Sequence, residues 1–193
     1  LIEDVGVLAE VGTIGTAPNV AIQKYLNGKQ VPQLFITAGG RRFNDPKTFP
    51  WTIPLYPDFE TEGRVVAKYI LTAKPDARIG VLYQNDDYGK DYLRGFKEAL
   101  GDKAGLIVKE LSYEVTDPTI DSQIVNLKAA GADVLMTITT PKFGAQAIRK
   151  VADLDWHPVH ILDINASPVS ATLKPAGLDI SKGIISTNYG KDP

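Results

Sequence analysis

Cysteine is absent from this chain of 193 residues, and histidine and methionine are scarce, with two copies and one. Without cysteine there is no disulfide, no thiolate metal ligand and no thiol nucleophile. The histidines, His157 and His160, are three residues apart, and on a strand this spacing places them on opposite faces. We therefore predict no metal site and no cofactor.

Other signals of common function classes are also missing. The formal net charge is −2, so the chain has no excess of basic residues and a nucleic-acid partner is not expected. No apolar run approaches the ~20 residues of a membrane span. Gly12 and Gly15 lack the G-x-G-x-x-G spacing, and neither a P-loop nor a G-x-S-x-G elbow occurs. We predict that the protein is not an enzyme and has no catalytic residues.

The residues that are present are those of an ordinary globular protein, with 44% apolar and 23% charged side chains. The length is enough for one large domain or two small ones. The chain begins at Leu1 rather than at methionine and ends on Asp192 and Pro193. We expect it to be a mature or excised piece of a longer protein.

The clearest structural pattern lies between Arg78 and Leu100. A short apolar run, residues 79–83, precedes a polar loop, residues 84–89, and then apolar residues recur every three or four positions. The pattern predicts a strand buried on both faces, a loop and an amphipathic helix. Asp86 and Asp87 in the loop could hold magnesium, but a helix cap is the favoured interpretation.

The same alternation runs through the rest of the chain. Strands are predicted at 5–9, 34–37, 106–111, 134–138, 159–162 and 184–186, with amphipathic helices between most of them. Alternating strands and helices predict an α/β fold with doubly wound, mostly parallel sheets. Residues 46–58 interrupt this order with four prolines and three aromatic residues. They are predicted to be an extended crossing between two lobes, or alternatively a long surface loop.

Polar loops follow the carboxyl ends of the predicted strands, where open parallel sheets bind ligands. They comprise residues 12–16, 37–43, 84–89, 139–142 and 163–167, and they are rich in small, hydroxyl and amide side chains. Such loops can line a pocket for a small polar molecule. Arg41 and Arg42 follow two glycines there, and one of them, with Arg41 favoured, could clamp a carboxylate.

An ordered set of segments extends over nearly the whole chain. It comprises the 12–16 loop, Val31-Pro32 before its strand, Glu62-Gly63, 67–71, the Asp87-Tyr88-Gly89 loop, 127–133, 183–186 and Asp192-Pro193. This set resembles the leucine/isoleucine/valine-binding family of periplasmic solute-binding proteins, which serve ABC importers. The family chain is about twice as long, and the sequence resembles its middle part.

The resemblance implies the type I periplasmic binding fold, in which two α/β lobes close on a solute. Residues 1–56 match the later part of the first lobe with its crossing strand, 57–187 the second lobe, and 188–193 the start of a return crossing. The binding positions that the resemblance carries over lie in both lobes: Gly15, Thr16, Gly39, Gly40, Arg41, Tyr88, Thr139, Thr140 and Asn165. The aromatic residue that the family often has near Thr139 is missing.

One position departs from the family's pattern in a way that bears on the solute. Asn165 aligns with the acidic residue that pairs with the ammonium group of an amino acid. A neutral amide leaves a buried ammonium unpaired, which is costly. Together with Arg41, this favours a carboxylate without an α-amine, such as an aromatic acid, or an amide solute.

The resemblance implies a periplasmic protein, expected to be monomeric, that captures a small solute and delivers it to a membrane permease. Branched-chain amino-acid binding is one alternative. A second is a ligand-sensing receptor module on the same fold. A third is a small α/β enzyme of flavodoxin or receiver type, which would need Asp86 and Asp87 to bind magnesium.

Overall fold

The computed structural model of the protein describes residues 2–190, and within them it contains two separate parallel sheets. The strands are β1 (Glu10–Val11), β2 (Gln33–Ile36), β3 (Thr52–Pro54), β4 (Ile79–Gln84), β5 (Ile107–Tyr113), β6 (Val134–Ile138), β7 (Val159–Leu162) and β8 (Ile185–Ser186). The α-helices are α1 (Ile2–Val5), α2 (Thr16–Gly28), α3 (Phe59–Ala73), α4 (Asp87–Leu100), α5 (Asp121–Ala129), α6 (Pro141–Asp153) and α7 (Lys174–Ala176). The predicted α/β fold with parallel sheets is confirmed.

The first sheet has the order β1-β2-β3 and is covered by α2, and we call this part the first lobe. Beneath α2 lie Ile36, Ala38 and Phe43, all buried. Polar side chains also pack in this core, where Gln33 Nε2 donates to Asn19 Oδ1 at 2.9 Å. Buried amides are tolerated when they are paired in this way.

The predicted strand at residues 5–9 is wrong. Ile2–Val5 form a helical turn, Gly6 has a φ of +67°, and the strand begins only at Glu10. The position of β1 is set by its parallel pairing with β2, in which Glu10 lies opposite Gln33. The apolar run that indicated a strand is instead exposed, with Leu8 91% accessible.

The second sheet has the order β5-β4-β6-β7-β8, with all pairs parallel, and with its helices it forms the second lobe. Helices α3 and α4 cover the face that carries Val81 and Met136. Helices α5 and α6 cover the opposite face, which carries Leu82 and Leu135. Both faces of β4 and β6 are therefore buried, as the continuous apolar runs of these strands indicate.

Helices α3 and α4 approach closely because glycines lie at their contact. A Cβ added to Gly95 would lie 2.1 Å from the carbonyl oxygen of Glu60, and one added to Gly63 would lie 2.3 Å from that of Tyr92. No side chain larger than hydrogen fits at either position without moving a backbone. The two helices hence pack closely together on one face of the second sheet.

The pattern at 78–100 is confirmed as β4, a loop and α4. The Asp86 side chain accepts a hydrogen bond from the Gly89 backbone N–H at 3.3 Å and so caps α4. A helix cap is therefore the role that the structure gives to this aspartate.

The proline-rich segment joins the two lobes. It contains the short strand β3 and continues as extended chain to the start of α3 at Phe59. The predicted division of the chain into residues 1–56, 57–187 and 188–193 stays a prediction. The predicted start of a return crossing at 188–193 lies partly outside the described residues. Within residues 2–190, no helix is long and apolar enough to cross a membrane.

Candidate functional site

A cleft of about 560 Å³ lies between the two sheets, at the carboxyl ends of their strands. Its walls are mostly apolar, and they combine residues of both lobes: Ile14, Gly15, Thr16, Ala17, Pro18, Thr37, Ala38, Tyr56, Phe59, Gln84, Asp86, Tyr88, Val115, Thr140, Pro141, Ile164, Asn165 and Pro168. We call it the interlobe cleft. A concave, apolar site with a few convergent polar groups is the usual form of a small-molecule site.

The first lobe contributes the N-terminus of α2 to the cleft. Gly15 precedes this helix with a φ of +93°, which glycine adopts readily. Within the described residues, no side chain caps the helix at Gly15. The first N–H groups and the positive end of the helix dipole therefore favour an anionic group beside Gly15 and Thr16.

The second lobe builds its wall around one buried carboxylate. Asp163, at the end of β7, is fully buried and accepts hydrogen bonds from three parts of the lobe. Its Oδ2 accepts from the Tyr88 hydroxyl at 2.5 Å and from the Asn165 N–H at 3.0 Å. Its Oδ1 accepts from the Thr139 N–H at 3.0 Å. Asp163 thus fixes the wall and has little capacity left to bind a solute cation.

A second polar network lies at the other side of the same wall. Tyr113 donates to Gln84 Oε1 at 3.0 Å and accepts from the Thr140 N–H at 3.2 Å. Gln84 Nε2 in turn donates to Asp86 Oδ2 at 2.7 Å. Burial raises the pKa of Tyr113, so its hydroxyl keeps its proton and can donate. Asp86 is the one acidic side chain of the described residues that lines the cleft.

Most of the residues predicted to bind the solute come together in this cleft. Gly15 and Thr16 line it from the first lobe, and Tyr88, Thr140 and Asn165 line it from the second. Thr139 lies directly behind them, fully buried, with its N–H on Asp163 and with no hydrogen-bond partner for its hydroxyl in the described structure. Their role as solute ligands stays a prediction.

Gly39, Gly40 and Arg41 lie outside the cleft. A Cβ added to Gly39 would lie 2.4 Å from the Pro57 carbonyl oxygen, so this glycine allows the crossing segment to approach the end of the first lobe. The Arg41 side chain is 71% exposed and lies 3.7 Å from Glu60 Oε1. Its backbone N–H donates to Asp91 at 2.8 Å. In this arrangement these residues join the lobes, and a carboxylate clamp at Arg41 stays a prediction.

Two acidic residues of the site were not identified from the sequence. Asp163 follows β7 directly, and a buried strand followed by an aspartate was a signal that could have indicated it. Glu62 in α3 accepts from the Ile164 N–H at 2.8 Å and from the Thr187 hydroxyl. Nothing in the amphipathic pattern of α3 distinguishes it from a surface residue. Burial raises the pKa of Glu62 to about 8 and that of Asp163 to about 6.

The histidines lie apart from the cleft. His160 is buried with Nε2 3.2 Å from Thr137 Oγ1, and burial lowers its pKa to about 4. His157 is exposed and lies 3.1 Å from Asp155. Within residues 2–190, no group of histidine, aspartate and glutamate has the arrangement of a metal site.

Comparison with known proteins identifies the family. Residues 1–192 match a family model described as periplasmic binding protein. The fold resembles a leucine-binding protein of Thermotoga maritima, with a TM-score of 0.83 and 15% identity over 98% of this chain and 53% of that one. A branched-chain amino-acid ABC transporter protein of Thermus thermophilus with bound valine has a TM-score of 0.81 and 13% identity over 96% of this chain and 47% of that one. A fatty-acid ABC transporter substrate-binding protein of Thermomonospora curvata has a TM-score of 0.79 and 18% identity over 96% of this chain and 48% of that one.

The chain belongs to the periplasmic binding protein family and has the type I fold that the resemblance implied. It spans about half the length of the solved structures that it matches. At these identities the solved structures establish the fold alone, and the solutes named for them differ from one protein to the next.

Proposed function

We propose that the protein is the extracytoplasmic solute-binding component of an ABC importer. It captures a small solute in the interlobe cleft and delivers it, as a monomer, to a membrane permease, without catalysis. Membership of the periplasmic binding protein family supports this role. The observation that carries it is the cleft itself, because residues from both lobes converge on one concave space at the carboxyl ends of their strands.

The solute that the walls favour is an apolar carboxylic acid without an α-amine. The uncapped N-terminus of α2 offers a place for its carboxylate, and Phe59, Tyr88, Ile164 and Pro168 offer apolar surface for its body. Asn165 supplies an amide at the cleft wall, and the carboxylate of Asp163 is already engaged by three donors. An ammonium group at this wall would lose its hydration without gaining a free anionic partner.

A second candidate is a branched-chain amino acid, and one observation favours it. Asp86 lines the same cleft as the α2 N-terminus and is an acidic side chain of the second lobe. Its carboxylate could pair with an ammonium group while the α2 N-terminus receives the carboxylate. Its two oxygens already accept from the Gly89 N–H and from Gln84, which is why we place this solute second.

A thermal-shift screen of the whole protein that carries this sequence tests the proposal. The screen compares pairs that differ only in the amine: 3-phenylpropanoate with phenylalanine, and 4-methylpentanoate with leucine. A solute held by the folded state at a hundredfold excess over its dissociation constant adds about 2.7 kcal/mol to the free energy of unfolding. We expect the amine-free acids to raise the melting temperature. A response confined to the amino acids favours the second candidate, and no response to any acid or amino acid contradicts both.

A further inference from the structure

Glu62 joins three parts of the molecule that meet behind the cleft wall. It lies in the first turns of α3, and its Oε1 accepts from the Ile164 N–H at 2.8 Å. The same oxygen accepts from the Thr187 hydroxyl, which follows β8 where the chain leaves the second lobe. Ile164 and its neighbour Asn165 line the interlobe cleft. One carboxyl group therefore connects the cleft wall to the segment after β8.

A second cavity of about 390 Å³ lies on the far side of this connection. Glu62 and Thr187 line it, together with Tyr189, and we call it the hinge-side cavity. Tyr56 and Ile164 line both this cavity and the interlobe cleft, so they form the partition between the two spaces. Any movement of Ile164 away from Glu62 would change the wall that faces the solute.

The groups around Glu62 are acidic or phenolic. Asp163 faces it from the end of β7, Tyr92 from α4, and Tyr56 from the crossing segment. The Tyr92 hydroxyl is buried beside it and makes no well-aligned hydrogen bond in the described structure. Within residues 2–190, no lysine or arginine forms an ion pair with Glu62 or Asp163. Two negative charges here would have no lysine or arginine partner, which is costly because Asp163 is fully buried and Glu62 is half-buried.

We propose that Glu62 is a positioning residue that holds the cleft wall at Ile164 and Asn165 to the segment at Thr187, and that solute affinity falls when it loses its proton. The proposal rests on the proposed function, because it takes the interlobe cleft as the solute site. With the proton in place, the carboxyl group bridges the two segments at low electrostatic cost. Without it, repulsion from Asp163 favours a state in which water enters from the hinge-side cavity and the wall loosens. Burial, followed by the charge of Asp163, raises the pKa of Glu62, which brings the change near neutral pH.

The test measures the affinity of the whole protein for 3-phenylpropanoate by calorimetry at pH 6 and pH 9. The acid is ionised throughout, because carboxylic acids of this kind have pKa values of about 4 to 5. We expect about fivefold weaker binding by the wild type at pH 9, which corresponds to a pKa of about 8 for Glu62 in the free protein and about one unit higher in the solute-bound protein. Glu62→Gln keeps the acceptor oxygen but cannot ionise, so its affinity should change less than twofold.

Two further variants separate the bridge from the charge. Glu62→Leu is neutral but offers no acceptor to Ile164 or Thr187, so it should bind weakly at both pH values. Glu98→Gln removes an exposed carboxylate of α4 that pairs with Arg64, and it should keep the wild-type pH profile. Equal profiles for the wild type and Glu62→Gln would overturn the proposal, as would Glu62→Leu binding as tightly as Glu62→Gln.

Hydrogen–deuterium exchange of the solute-free protein keeps the test independent of the solute. After correction for the intrinsic rate, the peptide spanning residues 161–168 should exchange faster at pH 9 than at pH 6 in the wild type. It should exchange at equal corrected rates at both pH values in Glu62→Gln. If 3-phenylpropanoate fails to bind at either pH, the proposed solute class is wrong, and the exchange result still decides the role of Glu62: equal rates in the wild type refute it.

Discussion

The Tyr88 hydroxyl donates a hydrogen bond of 2.5 Å to Asp163 and thereby joins the start of α4 to the end of β7 beneath the interlobe cleft. Both groups are buried, and the acceptor carries charge when Asp163 is ionised. A hydrogen bond to a charged partner contributes about 1.5–3 kcal/mol to stability. The contact therefore matters both for the folded state and for the shape of the cleft wall.

Removing this hydroxyl should destabilise the protein by that amount. We expect Tyr88→Phe to lower the free energy of unfolding by about 1.5–3 kcal/mol, because Asp163 stays buried with one donor fewer. Urea unfolding at pH 7 measures the change. Tyr69→Phe, at a half-exposed position of α3, is the matched control and should change stability by less than about 0.5 kcal/mol. Equal stability of the two variants would show that the contact is weak.

The close approach of α3 and α4 predicts a strong effect of one added methyl group. Gly95→Ala places a Cβ 2.1 Å from the Glu60 carbonyl oxygen, so the helices must separate. Overpacking of this kind costs about 1–3 kcal/mol or more. Gly105→Ala is the control, because a Cβ there meets nothing within 4 Å. Thermal unfolding of both variants measures the difference, and a Gly95→Ala protein as stable as the control would contradict the described helix contact.

The exposed position of Arg41 makes a further prediction about solute binding. Its guanidinium lies near Glu60, outside the described cleft, so Arg41→Ala should bind 3-phenylpropanoate within about twofold of the wild type. Thr16→Val, at the α2 N-terminus in the cleft, should bind more weakly because it removes a hydroxyl from the carboxylate end. Calorimetry measures the affinity of both variants for 3-phenylpropanoate. Loss of binding in Arg41→Ala alone would support the carboxylate clamp predicted from the sequence.

Half-buried Glu62 and fully buried Asp163 also predict how stability depends on pH. Below about pH 4.5 Glu62 is protonated in the folded and unfolded states alike. Between that value and about 8 the unfolded state has released the proton while the folded state holds it, so stability falls as pH rises. The pKa of Asp163 is also raised, to about 6, so its ionisation lowers stability further as the pH rises to about 6. Urea unfolding from pH 5 to 9 should show this loss, and Glu62→Gln should reduce it; an unchanged slope in that variant would mean that other groups cause it.

Much of the fold could be predicted from the sequence because it depends on local patterns. The apolar runs of β4, β6 and β7 lie between polar loops, and the period of α4 is strong, so their positions agree with the structure. The strand predicted at residues 5–9 was wrong because a run of apolar residues does not reveal the pairing partner. The register of β1 depends on Gln33, which is distant in sequence.

The candidate site was predictable only where it follows directly from a strand end. Thr140 and Asn165 come soon after β6 and β7, and Tyr88 lies in the first turn of the helix after β4. The position of Arg41 could not be read in this way, because its distance from the cleft depends on the approach of Gly39 to Pro57. Glu62 could not be found at all, since its partners Ile164 and Thr187 are more than a hundred residues away.

Preference for an apolar acid that lacks an α-amine is the main property that we propose for the interlobe cleft. Its most direct test is calorimetric comparison of 3-phenylpropanoate and phenylalanine with the whole protein at pH 6. We expect 3-phenylpropanoate to bind at least about tenfold more tightly, which corresponds to about 1.4 kcal/mol. Tighter binding of phenylalanine would contradict this preference and would favour the second candidate, in which Asp86 pairs with an ammonium group.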